Sequence, residues 1–288
     1  MASMRSIKRR KVSVQSTQQI TKAMKLVSTV KLQRAKGRAE KSKASFECIY
    51  ATVKSILART GFIDHPYLRP AESGKKAIVV ITSNRGLAGG YNSNVIKLVT
   101  KGDFKKEDVK IYAVGRKGKD AFTRYGYEIA ADHSDMIEEP AYVDAMQISN
   151  ELLKAFSEGE IGEIYLAYTA FKNTVSHVPT LLKLLPVEPG KEGEEEGSIA
   201  DEKALMNFEQ DEEEALAMLI PKYVTSLIYG GMVEAVASEN GARMQAMDSA
   251  TSNAEEMIEK LSLQYNRARQ GSITQELTEI IAGAEAIS

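Results

Sequence analysis

Three groups of residues could do chemistry. The first is a glycine-rich turn. The apolar run Ala77–Ile81 leads into Thr82-Ser83-Asn84-Arg85-Gly86-Leu87-Ala88-Gly89-Gly90, ahead of a helical pattern. A turn of this kind can hold a phosphate on helix N–H groups. The spacing argues against it: Gly86, Gly89 and Gly90 fit neither GxGxxG nor GxxxxGK[ST]. Gly115 to Lys119 is too short for the latter and puts Asp120 where a hydroxyl is required. A structural turn is expected. The second group is His65, His133 and His177, which are isolated, and no Cys or His pair has ligand spacing. No GxSxG elbow or HExxH pair occurs. The acid runs Glu194–Glu196 and Glu212–Glu214 read as solvated charge, not as paired catalytic carboxylates. No catalytic residue, metal or cofactor is expected. The third group is basic: Lys8-Arg9-Arg10-Lys11, Lys22, Lys25, Lys31, Arg34, Lys36 and Arg38 could track phosphates. No aromatic precedes Phe46, which removes a stacking platform for single strands. A coiled-coil face beside acidic partners accounts for the charge equally well. Cys48, the only cysteine, is expected as a small core residue and excludes an intramolecular disulfide.

The elements that must carry these residues follow from proline placement. All seven prolines lie between Pro66 and Pro221, so both ends of the chain are free to be long helices. Near the C-terminus Met247, Ala250, Ala254, Met257 and Leu261 recur at alternating steps of three and four, continuing through Tyr265, Ala268, Leu277, Ile281 and Ala284. That is a narrow seam of coiled-coil type. A helix over 210–284 would be roughly 110 Å long. The N-terminal flank carries a thinner seam, Thr17, Ile20, Met24, Val27 and Val30; a helix over 5–58 would run roughly 80 Å. Two such helices at opposite ends of one chain predict an antiparallel pair. Glycines 230, 231, 241, 271 and 283 weaken the second helix by about 1 kcal/mol each relative to Ala. Packing or partner contacts must offset that.

The middle alternates. Residues 77–81, 109–114, 163–168 and 180–185 read as strands, with helical patterns at 92–101, 117–125 and 140–157. Strand alternating with helix predicts a mostly parallel, Rossmann-like α/β sheet. The expected fold class is therefore α/β: an N- and C-terminal antiparallel coiled coil plus a central Rossmann-like domain. The expected divisions are 1–60, an N-terminal coil helix; 75–186, the α/β domain; 187–209, an acidic linker; and 210–288, a C-terminal coil helix. The longest apolar run, Ala215–Ile220, is far short of the ~20 residues of a membrane span. The start lacks the apolar region of a secretory signal. The net charge of −1 conceals polarity. Residues 1–59 hold fifteen Lys and Arg against Glu40 and Glu47, a net of +13, whereas 188–214 hold twelve acids against Lys191 and Lys203, a net of −10. Such a chain offers charged surfaces to partners.

Four segments carry a resemblance: SIKRRKVSVQSTQQITKAMKLVSTVKLQRA at 6–35, ITSNRGLAGGYNSNV at 81–95, ASENGARMQAMDSATSNAEEMI at 237–258 and LQYNRARQGSITQELTEIIAGAEAI at 263–287. In order and position they resemble the gamma subunit of F-type ATP synthases, over essentially the whole chain. Asn84 and Ala88 depart from the acid and cysteine that the family often has there. The regulatory cysteine pair of the chloroplast form is absent. The resemblance implies a non-catalytic rotor shaft that turns inside a ring of alpha and beta subunits and couples ion flow to ATP synthesis or hydrolysis. It implies partners: alpha, beta, epsilon and the membrane ring of c subunits, with delta only as a member of the same complex. It also implies a peripheral place on the cytoplasmic side of a bacterial cell membrane. Carried over by motif, Met24 and Arg243 resemble the pair where shaft and beta-subunit loops meet. Arg269, Gln270, Thr274 and Glu276 resemble polar contacts of the upper C-terminal helix. Ile273, Leu277, Ile280 and Ile281 resemble a tip that turns in an apolar sleeve. Positions 31–36 and 205–210 are expected ring contacts. The rival function is a nucleic-acid-binding protein that uses the basic helix.

Overall fold

The computed structural model describes residues 4–59, 66–69, 74–174, 176–187 and 212–286. The acidic linker beyond Val187 and positions 205–210 lie outside the described residues. The chain divides into two units, one of Met1–Val30 with Arg243–Ser288, the other of Lys31–Ala242. The elements in order are α1 (Met4–Arg59), β1 (Lys76–Ile81), α2 (Tyr91–Thr100), β2 (Val109–Val114), α3 (Arg116–Tyr125), β3 (Glu128–Asp132), α4 (Tyr142–Ser157), β4 (Glu163–Phe171), β5 (His177–Leu185) and α5 (Glu212–Glu285). The expected α/β class with long terminal helices is what the chain adopts.

In the 31–242 unit one five-stranded sheet has the order β3-β2-β1-β4-β5. Pairings β1–β2, β1–β4 and β2–β3 are parallel, and β5 runs antiparallel to β4. The central strands are apolar on both faces because both faces are covered. Val79, Ile81, Val114, Ile164 and Leu166 point to one face, where α4 brings Ile148, Leu152 and Phe156 and α5 brings Leu216, Ile220, Val224 and Ile228. Ile78, Val80, Ile111 and Ala113 point to the other, under Val95 and Val99 of α2 and Phe122 of α3. Each fully buried Leu, Ile or Phe stabilises the unit by about 1.5–3 kcal/mol. This packing holds α5 helical through Pro221, which sits inside the helix although an interior proline costs about 3 kcal/mol. It also explains Gly231: a Cβ there would lie 2.8 Å from Leu166 Cδ2, so glycine lets α5 approach β4 this closely without displacing the leucine. The richest 18-residue window of α5 has a mean hydropathy of 1.3 and is 56% buried inside the molecule.

Two expectations need correction. The strand β3 escaped the sequence reading, because Glu128-Ile-Ala-Ala-Asp132 is short, half alanine and exposed on every second residue. Cys48 is exposed, not a core residue.

Candidate functional site

The unit of Met1–Val30 with Arg243–Ser288 is a two-helix antiparallel coil. Its register is fixed by three polar pairs: Lys25 Nζ with Asp248 Oδ1 at 2.5 Å, Thr21 Oγ1 with Thr251 Oγ1 at 2.8 Å, and Gln18 Nε2 donating to Glu255 Oε1 at 3.0 Å. On α5 the inward residues are Met247, Thr251, Ala254, Ile258, Leu261, Tyr265 and Ala268, with alternating steps of four and three. Met247, Ala254 and Leu261 are buried, as the periodicity predicted, while Met257 is 41% exposed. On α1 the inward residues are Met4, Ile7, Lys11, Val14, Gln18, Thr21, Lys25 and Ser28, again in strict three-four alternation.

The expected N-terminal seam is therefore wrong by about one residue. Thr17 is exposed, and Ile20, Val27 and Val30 are 58%, 58% and 53% exposed. Ser28 and Thr21 are buried instead, at 1% and 8%. The physical reason is that small hydroxyl side chains satisfy themselves inside the helix pair. Ser28 Oγ donates to Met24 O at 2.8 Å and Thr21 Oγ1 donates to Gln18 O at 3.0 Å. They can then be buried without an orphaned polar group, and they let the two backbones come close. The apolar residues Val12, Ile20, Leu26, Val27 and Val30 are left on the outer face of α1. Hydrophobicity hid this face from the sequence reading; the strictness of the three-four alternation was the signal that could have found it.

Of the sequence-derived contact residues, Met24, Arg243, Arg269, Gln270, Thr274 and Glu276 fall in this unit, and positions 31–36 fall in the other. Met24 and Arg243 are half-buried at the edges of the seam. The shared register puts Arg243 level with about position 30 of α1, five or six residues and about 8 Å along the coil from Met24. Arg269, Gln270, Thr274 and Glu276 are exposed. Thr274 Oγ1 donates to Gln270 O at 2.9 Å, and Glu276 accepts from Ser272 Oγ at 3.3 Å. The same register sets Met4 opposite about position 268, so α5 has no α1 beside it beyond about position 270. There Ile273, Leu277, Ile280 and Ile281 are 48%, 54%, 68% and 63% exposed. Leu277 and Ile281 thus continue the periodicity but face no neighbour within the unit.

The glycine-rich turn behaves as a structural lock. Asn84 Nδ2 donates to Ser134 O at 2.8 Å, and its Oδ1 accepts from Arg116 N at 2.9 Å. One side chain thereby ties the ends of β1, β2 and β3 together. Thr82 Oγ1 accepts from Gly118 N at 2.8 Å and donates to Gly115 O at 3.1 Å. Gly115 has φ 121°, and a Cβ there would fall 2.0 Å from Thr82 O. Asn92 Oδ1 accepts from Ser83 N at 2.9 Å. The strand ends, where α/β folds hold ligands, here have their polar groups paired with one another.

Titration is perturbed by burial elsewhere. Burial and neighbouring carboxylates push Tyr112 up to about 12. For Glu163 burial works upward, but hydrogen bonds and charge from Lys76 and Lys183 outweigh it and the carboxyl falls below its ordinary value. Lys76 Nζ lies 2.8 Å from Glu163 Oε2 and Lys183 Nζ 3.4 Å from Oε1, so this cluster staples β1, β4 and β5. On α1, Lys31, Arg34 and Arg38 line a cleft with Glu138 and Glu139, floored by Val233 and Val236. No group of three His, Cys, Asp or Glu that could hold a metal occurs among the described residues.

Residues 3–287 match the model of the ATP synthase family. The chain is 64% identical to the ATP synthase gamma chain of Lachnoclostridium phytofermentans over 291 residues, covering all of both chains. It is 46% identical to that of Alkaliphilus metalliredigens, covering 99% of this chain and 98% of the relative. It is 41% identical to the sodium-ion-specific gamma chain of Acetobacterium woodii, covering 98% of each. In fold it is similar to the central stalk of the Tetrahymena thermophila mitochondrial ATP synthase, with a TM-score of 0.60 at 22% identity over 80% of this chain and 99% of that one. A chain of the Euglena gracilis mitochondrial enzyme gives a TM-score of 0.58 at 21% identity over 92% and 95%.

Proposed function

We infer the role of this chain from one premise: it belongs to the ATP synthase family as a gamma chain, and it is the non-catalytic central rotor shaft of that complex, which is peripheral to a membrane. We propose that the complex lies on the cytoplasmic side of a bacterial cell membrane, and that the shaft turns inside a ring of alpha and beta subunits. At its other partners it meets epsilon and the membrane ring of c subunits, with delta only in the wider complex. The divisions 1–60, 75–186, 187–209 and 210–288 serve as shaft helix, α/β domain, acidic linker and shaft helix. Met24 and Arg243 meet beta-subunit loops; Arg269, Gln270, Thr274 and Glu276 make polar contacts with the ring. The nucleic-acid reading of the basic helix has no support.

The observation that carries this reading is the reversed polarity of the coil. Its seam is lined by Gln18, Thr21, Lys25 and Ser28, while Val12, Ile20, Leu26, Val27 and Val30 face outward. A contiguous exposed apolar face marks a surface that partners cover. A shaft also needs contacts that differ with angle, because rotation can drive a catalytic site only through free energy that depends on orientation. A one-sided apolar stripe supplies that asymmetry. Beyond position 270 the exposed Ile273, Leu277, Ile280 and Ile281 alternate with Thr274, Glu276 and other polar side chains, and weak contacts spread evenly over such a tip suit a bearing: no single angle is a deep well.

Met24→Lys tests the placement. It puts a cation where a half-buried thioether meets the partner loop. We expect ATP-driven ion pumping to fall several-fold relative to ATPase rate, with assembly retained; an unchanged ratio of pumping to hydrolysis overturns the placement of Met24.

A further inference from the structure

The turn between β4 and β5 is held to α5 at three positions on one helical face, spaced by four and three residues. Glu234 Oε2 accepts a hydrogen bond from Phe171 N at 3.3 Å. One turn later Ser238 Oγ donates to Thr169 O at 3.0 Å. At Gly241 the helix backbone lies directly against the ring of His177: a Cβ at 241 would stand 2.7 Å from His177 Cε1 and 3.6 Å from Thr174 O. Phe171 covers the ring from β4, its centroid 6.2 Å from that of His177. Both His177 ring nitrogens are shut off from solvent, and neither has a hydrogen-bond partner among the described residues.

We propose that this contact is a proton-sensitive latch: neutral His177 seals the β4–β5 turn onto α5, and protonation of His177 opens it. A neutral imidazole already leaves one donor unmet in such a site. An imidazolium has two donors and a charge, and nothing on Gly241, Phe171 or the Thr174 carbonyl is placed to satisfy them, so the ring must leave for water. The titratable or charged groups nearest to it along these elements are Tyr168 on β4, Lys172 in the turn, and Glu234, Glu239 and Arg243 on α5. Glu234 is two turns from Gly241, and its carboxylate is already engaged by Phe171 N. Burial alone lowers the His177 pKa below the ordinary histidine value. The latch therefore stays shut at neutral pH and opens on acidification, freeing the end of the antiparallel hairpin from the helix that continues into the coil. Gly241 keeps the fit tight enough for one proton to break it.

The test is amide hydrogen exchange in the assembled ATP synthase, corrected for the intrinsic pH dependence of exchange. We expect protection at Ser176, whose N–H donates to Asn173 Oδ1 and not to Glu234, to fall at least about tenfold between about pH 7.5 and about pH 5, with a midpoint below the ordinary histidine value. His177→Phe, which keeps a ring of similar size without a titrating nitrogen, removes the pH response. Glu234→Gln leaves it in place. Protection that does not change with pH in the unmodified chain overturns the proposal. So does an equal loss in His177→Phe, or a response abolished by Glu234→Gln, which would make the carboxylate the sensor.

Discussion

The two units hide opposite kinds of side chain. In the 31–242 unit, Ile78, Val79, Val80, Ile81, Ile148, Leu152, Ile164 and Leu166 are all fully buried. In the coil, the most buried side chain of α1 up to Val30 is a serine, while Val12, Ile20, Leu26, Val27 and Val30 face out. The first unit closes its own core and can hold its shape by burial alone. The second keeps its helices in register with hydroxyls, an amide and one ion pair, each worth little in water, and leaves its apolar surface for other chains. One part is built to be self-sufficient and the other to be completed by its surroundings.

Three substitutions can break or sharpen that contrast. The largest effect belongs to the self-sufficient unit. Leu152→Ala should lower stability by about 2–5 kcal/mol, because the site is enclosed on all sides and cannot collapse. Urea unfolding measures it, and a loss below about 1 kcal/mol would mean that this core is as forgiving as the coil. An intermediate effect concerns Glu234, a half-buried acid on α5 that accepts a hydrogen bond from Phe171 N. Burial raises the Glu234 pKa above its ordinary value, against the opposing hydrogen bond from Phe171 N. The folded state thus binds the proton more readily than the unfolded state. The linked stability is fully present below the ordinary glutamate pKa and is lost as pH rises through the raised value. Glu234→Gln removes that loss, so the variant should gain on the unmodified chain by on the order of 1 kcal/mol as pH rises to neutrality. Thermal unfolding of both from acid to neutral pH reads it, and parallel curves would show that the group does not titrate in this window. The smallest effect lies in the seam. Thr21→Val alone removes the contact to Thr251 Oγ1, which keeps its own hydrogen bond to Met247 O, and should cost about 1 kcal/mol, whereas Thr21→Val with Thr251→Val should be within about 0.5 kcal/mol of the original. A double-mutant cycle on the full chain decides it. A double variant as damaged as the single would mean that the hydroxyl pair, and not the space it fills, holds the coil.

Sequence and structure agree most where a pattern is long and the competing signals are few. The strands at 77–81 and 109–114, buried on both faces, read as unbroken apolar runs, and both terminal helices came within a few residues of their bounds. The C-terminal seam was legible at Met247, Ala254 and Leu261 because its alanines and large residues alternate cleanly. The α1 seam was not. There burial follows size and self-satisfied hydroxyls, while hydrophobicity follows the outer face, so a reading that equates apolar with inward picks the wrong stripe. Asn84 was read as part of a structural turn. Its two hydrogen bonds to separate loops could not be foreseen, because they depend on three strand ends that meet only in the folded sheet. The His177 site was invisible too, since a lone histidine carries no spacing signal, and Gly241 gained its meaning only from the ring pressed against it.

Lys25 and Asp248 are 223 residues apart in sequence and yet share an ion pair. Closing so wide a loop from an unfolded chain is slow, because the entropy of closure must be met before any contact rewards it. The cleft within the 31–242 unit already sets Lys31, Arg34 and Ala35 of α1 beside Val233 and Val236 of α5. Once that unit has folded, α1 and α5 already lie side by side within it, and the Lys25–Asp248 pair closes over a far shorter span than the 223 residues between them. The fold of the middle of the polypeptide thus shortens the loop that its two ends have to close.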